Sequence, residues 1–283
     1  MVEGAVDGSN GTGRVLSMKV FLPYRSEFGF LCMFHAPWVN AFPSPKTVII
    51  EEGTEALYPG CEYLYLDRRK DADRRARPEK DVEKEWRERI GDGVEFLPMP
   101  YPATKATPRR YFVPSPYRMV RDASRFDVCV CPRKREYGSN KNWPYWQHLT
   151  DALLGMRMKV FAAGHPESSY LLTGCRTAWD RSVRYLDETI QGMLNSNLVV
   201  ATDAGLAHLA LMCGKPLVLI THKEGMVAPG TDDIGKDYWP IYIDRYHEEN
   251  HLNAPIHQVY YGWEGTGRVV EKIEESLRWV APA

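Results

Sequence analysis

The chain has 283 residues and a formal net charge of −1, with 36 Lys+Arg set against 37 Asp+Glu. That near-neutral balance excludes a chain-wide field that would draw it to nucleic acid or to a membrane surface. Its length is enough for two domains of roughly 130 to 150 residues, each with its own core. Six cysteines, at 32, 61, 129, 131, 175 and 213, form no CxxC pair. The expectation is therefore reduced core thiols in a cytoplasmic protein, not a disulfide framework or a zinc site. No apolar run is long enough to span a bilayer.

Residues 1–17 are rich in Gly, Ser and Asn, lack the apolar core of a signal peptide, and read as a flexible leader. Met18 to Leu22 reads as the first strand. It leads into Pro23-Tyr-Arg-Ser-Glu-Phe-Gly29, which puts Arg25 and Glu27 in a loop at a strand's carboxyl end. Phe30 to Trp38 predicts a helix ending near Pro37. Lys46 to Ile50, Glu62 to Leu66 and Val94 to Leu97 predict strands, and Pro78 to Ile90 a solvated helix of mixed charge. Between Pro98 and Pro116 the chain turns to Pro, Thr, Arg and Tyr, so a domain boundary is expected near 115 to 125. The division predicted is a leader at 1–17, a first Rossmann-like domain at 18–120 and a second at 121–283.

Phe126 to Cys131 restarts the strand pattern. A basic loop, Arg133 to Lys141, precedes a helix starting about Pro144, and Met158 to Ala162 is a strand followed by a turn at Gly164-His-Pro-Glu167. Asp187 to Leu194 reads as a helix. Leu198 to Ala201 is then a buried strand, Thr202-Asp-Ala-Gly205 a tight turn, Leu206 to Cys213 a short helix stopped by Gly214, and Leu217 to Ile220 a second strand. This is a right-handed βαβ unit of a parallel sheet, with its turn where such sheets bind phosphorylated ligands. Asp203 as a plain N-cap and His208 as a packing histidine form the competing reading. Two loops and a helix over Val269 to Val280 close the chain.

Three segments in register resemble the ADP-heptose:lipopolysaccharide heptosyltransferase family, sugar transferases of the GT-B architecture. Thr202-Asp-Ala-Gly-Leu-Ala-His-Leu-Ala210 with Gly214-Lys-Pro216 is similar to the family's D-[ST]-G-x-x-H-[LI]-A and G-x-P. Lys141-Asn-Trp-Pro144 is similar to its K-x-W-P, and Phe161-Ala-Ala-Gly-His-Pro-Glu167 to a strand ending in a glycine and a glutamate. The resemblance spans roughly residues 126 to 221. It implies an α/β fold of two Rossmann-like domains with parallel sheets and an interdomain cleft.

By position, the resemblance also implies a donor site of Lys141, Gly164, Glu167, Thr202, Asp203, Ala204, Gly205 and His208. In it Lys141 and the Asp203 turn face the diphosphate and Glu167 accepts from the ribose. Cofactors are expected to be none: the donor is a nucleoside-diphosphate sugar and no metal is required. The acceptor side departs from the family, since Phe30 stands where an aspartate base is expected. Glu27 is the nearest replacement and His35 the second choice, with Arg25 beside them; Glu27 reads equally as a solvated loop residue. The expected activity is inverting, metal-independent glycosyl transfer to an acceptor hydroxyl, on a glycan or another partner.

Three alternatives stand beside it. One is a nucleotide-sugar-binding protein that has lost its base, and another a nucleotide-sugar 2-epimerase, which needs more carboxylates than the sequence offers. The third is a transferase acting on a modified nucleic-acid base, for which Arg109, Arg110 and Arg133 to Arg135 with Tyr111, Tyr117, Tyr137 and Trp143 supply a basic, aromatic mix.

Overall fold

The structure, a computed structural model, describes residues 18–23, 28, 31–43, 45–66, 79–91, 93–98, 126–136, 142–179, 185–221, 256–260 and 266–280. Arg25, Glu27, Phe30, Lys141, the leader at 1–17, the arginines and tyrosines of residues 109–117, Tyr137 and the boundary expected near 115 to 125 lie outside them.

Two parallel sheets organise the chain. The first contains β1 (Met18–Phe21), β2 (Thr47–Ile50), β3 (Glu62–Tyr65) and β4 (Val94–Leu97) in the order β3-β2-β1-β4. The second contains β5 (Phe126–Cys131), β6 (Val160–Ala162), β7 (Arg176–Thr177), β8 (Ser196–Thr202), β9 (Leu217–Thr221) and β10 (Ile256–Tyr260) in the order β10-β9-β8-β5-β6-β7. Every pairing in both sheets is parallel. Strands covered on both faces need apolar side chains on both, which is why β2, β5 and β8 read as continuous Val/Ile/Leu/Cys runs and not as alternating ones.

Each sheet reverses direction once. The chain leaves β1 for β2 and β3 on one side, then returns to lay β4 on the other. It leaves β5 for β6 and β7, then returns to lay β8, β9 and β10 on the opposite side. The crevices at the carboxyl ends of β1/β4 and β5/β8 are therefore topological switch points, the places where open α/β sheets take their ligands.

Alternation along the strands sorts the core into layers. Leu198 and Val200 of β8 pack with Trp146, Leu149 and Leu153 of α3 (Trp146–Gly155) and with Val269 and Ile273 of α6 (Gly267–Val280). Val199 and Ala201 face the other way, onto Ile190, Met193 and Leu194 of α4 (Tyr185–Leu194) and Ala207, Leu209 and Leu211 of α5 (Gly205–Met212). That second cluster is continuous with Phe21, Val48 and Ile50 of the first sheet and with Cys32, Ala36 and Trp38. On the far side of the first sheet, Val20, Leu22 and Ile49 are covered by Val82 and Trp86 of α2 (Glu79–Ile90).

Two departures from the expected elements have local causes. The segment after the first strand is a π-helical turn, Leu31–His35, running into α1 (Ala36–Asn40). Pro37 does not end this helix. It lies in the first turn of α1, where a missing N–H costs nothing. The strand β10 falls in a region expected as loop, because Ile256-His-Gln-Val-Tyr260 stands between glycine-rich and polar flanks, and the two-residue β7 carries no periodicity from which to expect it.

Two buried lysines close helix ends beside the sheets. Lys46 Nζ donates to the Val39, Asn40 and Phe42 carbonyls at 3.1, 3.4 and 2.8 Å. Lys215 Nζ donates to the Leu194 and Ser196 carbonyls at 2.6 and 2.8 Å. Lys46 thereby binds carbonyls at and just beyond the end of α1, and Lys215 binds the last carbonyl of α4 and the first of β8.

Candidate functional site

The site is assembled at the carboxyl ends of β5, β6 and β8. β8 runs to Thr202, and the Asp203 N–H continues its ladder by donating to the Ile220 carbonyl at 3.1 Å. Ala204, extended at φ −157 and ψ 175, is the N-cap of α5, so Asp203 is not the cap residue. An alanine cap offers no side-chain acceptor. Ala207 N–H turns back to the Ala204 carbonyl at 2.9 Å, while the Gly205 and Leu206 amides have no hydrogen-bond partner among the described residues. Asp203, Ala204 and Gly205 are half-buried, and His208 is buried one turn further in. Thr202 is 1% exposed, and its Oγ1 finds no hydrogen-bond partner among the described residues. The turn thus offers two backbone donors and one hydroxyl at the positive end of a helix.

The β6 turn lies against it. Gly164 has φ +128, and a Cβ there would come to 2.5 Å from Ser169 Oγ and 3.6 Å from Leu206 Cδ1, in the first turn of α5. Only glycine suits both the conformation and the close approach. Its N–H donates to Thr189 Oγ1 of α4 at 3.1 Å. Glu167 is exposed on the next single 3₁₀ turn, Pro166–Ser168.

The β5 end is tied to that same turn. Lys134 N–H donates to the Ser168 carbonyl at 2.8 Å, Tyr170 N–H to the Pro132 carbonyl at 2.6 Å, and Arg133 bridges Ser169 in antiparallel pairing. Asn142, which follows Lys141 in sequence, clasps the same rim. Its Oδ1 accepts from Arg133 Nη1 at 2.5 Å and from the Arg135 N–H at 3.0 Å, and its Nδ2 donates to the Arg135 carbonyl at 2.7 Å. Arg133 is therefore engaged within the protein, while Lys134 and Arg135 are exposed. The clasp went unseen in the sequence, where Asn142 is only the variable position of Lys-x-Trp-Pro.

On the acceptor side His35, the second choice of base, is fully buried. Its Nε2 lies 2.8 Å from the Leu22 carbonyl and its Nδ1 2.6 Å from Tyr58 Oη. A carbonyl only accepts, so Nε2 carries the proton and Nδ1 accepts from the tyrosine. Burial lowers the His35 pKa to about 4, against the opposing effect of the Leu22 hydrogen bond. The ring is a neutral brace between the end of β1 and Tyr58.

Cys32, Cys129, Cys131 and Cys213 are core groups, and Cys61 and Cys175 are half-buried. Burial raises Cys32 and Cys129 well above the usual thiol value, and pushes Cys213 up to about 12 against the lowering effect of Lys215. None of the six cysteines forms a disulfide. Among the described residues no three His, Cys, Asp or Glu side chains gather as a metal site, and no helix is long and apolar enough to cross a membrane.

Solved structures with this arrangement settle the architecture. An ADP-heptose lipopolysaccharide heptosyltransferase II from E. coli superimposes with a TM-score of 0.59 at 15% identity, covering 93% of this chain and 99% of its own. The chain has the fold of the heptosyltransferases. E. coli heptosyltransferase WaaC with ADP aligns at a TM-score of 0.55 and 13% identity, covering 92% of this chain and all of its own. A family 9 glycosyl transferase from Veillonella parvula aligns at 0.50 and 12%, covering 93% and 97%. The sequence itself matches no protein-family profile and no curated protein. The likeness lies in the GT-B fold, which this chain reaches through a sequence far from those of its structural neighbours.

Proposed function

We propose that this chain is a glycosyltransferase, moving a sugar from a nucleoside-diphosphate donor to an acceptor hydroxyl with inversion and without a bound metal. The observation that carries the reading is the Thr202–Gly205 turn at the β5/β8 switch point. There the unsatisfied first-turn amides of α5 and the buried Thr202 hydroxyl offer donors to an anion. A sugar transferase needs that charge pattern, because its leaving group is a diphosphate whose negative charge grows as the glycosidic bond breaks. The solved heptosyltransferase WaaC with ADP supports a nucleoside diphosphate as the ligand class.

In this reading the Asp203–Gly205 turn cradles the diphosphate through the Gly205 and Leu206 amides, and Lys141 pairs with it. Glu167 accepts from the ribose hydroxyls, and Gly164 keeps the floor open. His208, buried beneath the turn, braces it. The acceptor oxygen attacks the anomeric carbon from the face opposite the diphosphate and its proton passes to the Glu27 carboxylate. The bond from that carbon to the diphosphate oxygen breaks, and the electron pair leaves with the nucleotide. Arg25, two residues before Glu27 in sequence, would assist on the acceptor side. The acceptor is a glycan or another hydroxyl compound.

Phe30, at the position where an aspartate base is expected, favours a second reading: a nucleotide-sugar-binding protein without turnover. Screening nucleotide sugars and acceptors for nucleoside-diphosphate release separates the two. The first reading expects turnover in the wild type and its collapse in Glu27→Gln with donor binding intact. Tight donor binding with no turnover under any pairing would favour the second, and unchanged turnover in Glu27→Gln would remove Glu27 from the mechanism.

A further inference from the structure

We infer that His165 is a positioning residue for Glu167 and thereby sets the recognition of the donor's ribose; the inference rests on the function proposed above. His165 is the N-cap of the Pro166–Ser168 turn, extended at φ −105 and ψ 135, and its Nδ1 accepts the Glu167 N–H at 3.2 Å. Its carbonyl accepts from the Ser168 N–H at 3.0 Å and from Ser168 Oγ at 3.5 Å. The imidazole packs edge-on against Tyr185, at the start of α4, with centroids 4.5 Å apart at 76°.

Helix caps are usually serine, threonine, aspartate or asparagine, any of which would supply the acceptor. An imidazole adds what these lack, a flat face that ties the turn to α4. Because Nδ1 accepts, the ring proton sits on Nε2. Fixing the Glu167 amide fixes the backbone of the turn's middle residue, and with it the direction in which the Glu167 side chain leaves. The site thus gains a carboxylate whose aim depends on a neighbour two residues earlier, a role assigned to His165 by contact geometry alone.

The test compares wild type with His165→Ala and His165→Asn, asparagine keeping a cap acceptor. Without ligand, amide exchange at Glu167 should rise in His165→Ala and stay near wild type in His165→Asn. Equal protection in His165→Ala overturns the inference. With ligand, calorimetry measures ADP, GDP, UDP and CDP, each against its 2′-deoxy counterpart. Wild type should prefer the ribonucleotide of the base it binds. His165→Ala should lose that preference by roughly ten-fold while His165→Asn keeps it. A merely structural cap would lower the melting temperature and leave the ribo-to-deoxy ratio unchanged, which also overturns the inference. A wild type that binds none of the eight nucleotides overturns the proposed function and this role with it. Binding with full discrimination in His165→Ala overturns this role alone.

Discussion

Buried His35 makes the protein sensitive to acid through a single side chain. Its folded pKa is about 4 against an ordinary 6.5, so between those values the unfolded chain takes up a proton that the folded chain refuses. Stability is complete above about pH 6.5 and is lost as pH falls toward 4, by about 2 kcal/mol at pH 5 from this group. Urea unfolding at neutral pH and near pH 5 checks this. His35→Gln should be less stable at neutral pH, having lost the Leu22 and Tyr58 bonds, yet show a shallower acid slope; an unchanged slope would contradict the assignment. Gly164 is the other residue whose identity is fixed by its surroundings. Gly164→Ala should cost on the order of 1–3 kcal/mol, because its positive φ and the Ser169 hydroxyl both oppose a Cβ. Chemical denaturation reads that loss directly. The sequence offered Gly164 as a donor-site residue but gave no sign of the serine five residues on that closes over it.

Helix α4 meets the second sheet by contact between Gly192 and the Phe161 ring of β6, which leaves no room for a Cβ. Gly192→Ala should therefore destabilise by about 1–3 kcal/mol, and a smaller side chain at Phe161 should recover part of it in the double variant. Additive losses would mean that the two do not press on each other. Lys215 secures the same, C-terminal end of that helix. Lys215→Met keeps the stem but strands the Leu194 and Ser196 carbonyls, for a loss of about 2 kcal/mol in denaturant titration. Long apolar strands such as Phe126 to Cys131 and Leu198 to Ala201 were legible from hydrophobicity alone, since burial on both faces leaves an unbroken signal. The two-residue β7 and the π turn at Leu31–His35 were not, because each exists through neighbours distant in sequence: β6 for the one, Leu22 and Tyr58 for the other. The same holds for the roles of Lys46 and Lys215, which depend on the carbonyls that the fold gathers around each ammonium.

At the scale of the molecule, strand order does what no single motif can. Both sheets reverse at one point, and the residues proposed for the site follow β1, β5, β6 and β8 in sequence, three of these strands lying at the reversals. The βαβ unit around Asp203 could be read from spacing, as could the helix that follows it. Its place beside β5, and so beside the Asn142 clasp and the Gly164 turn, depends on pairings between residues some seventy apart, such as Val128 with Leu198. The acceptor side was least legible, because its one titratable candidate among the described residues, His35, turned out to be part of the core. The central claim is that the first turn of α5 binds a nucleoside diphosphate, and thermal-shift titration with ADP, GDP, UDP and CDP, with and without EDTA, tests it most directly. A ligand at about 100 times its dissociation constant should stabilise the wild type by ~2.7 kcal/mol, without dependence on EDTA, and shift Lys141→Ala far less although folded. No shift with any of the four, or an equal shift in Lys141→Ala, would contradict it.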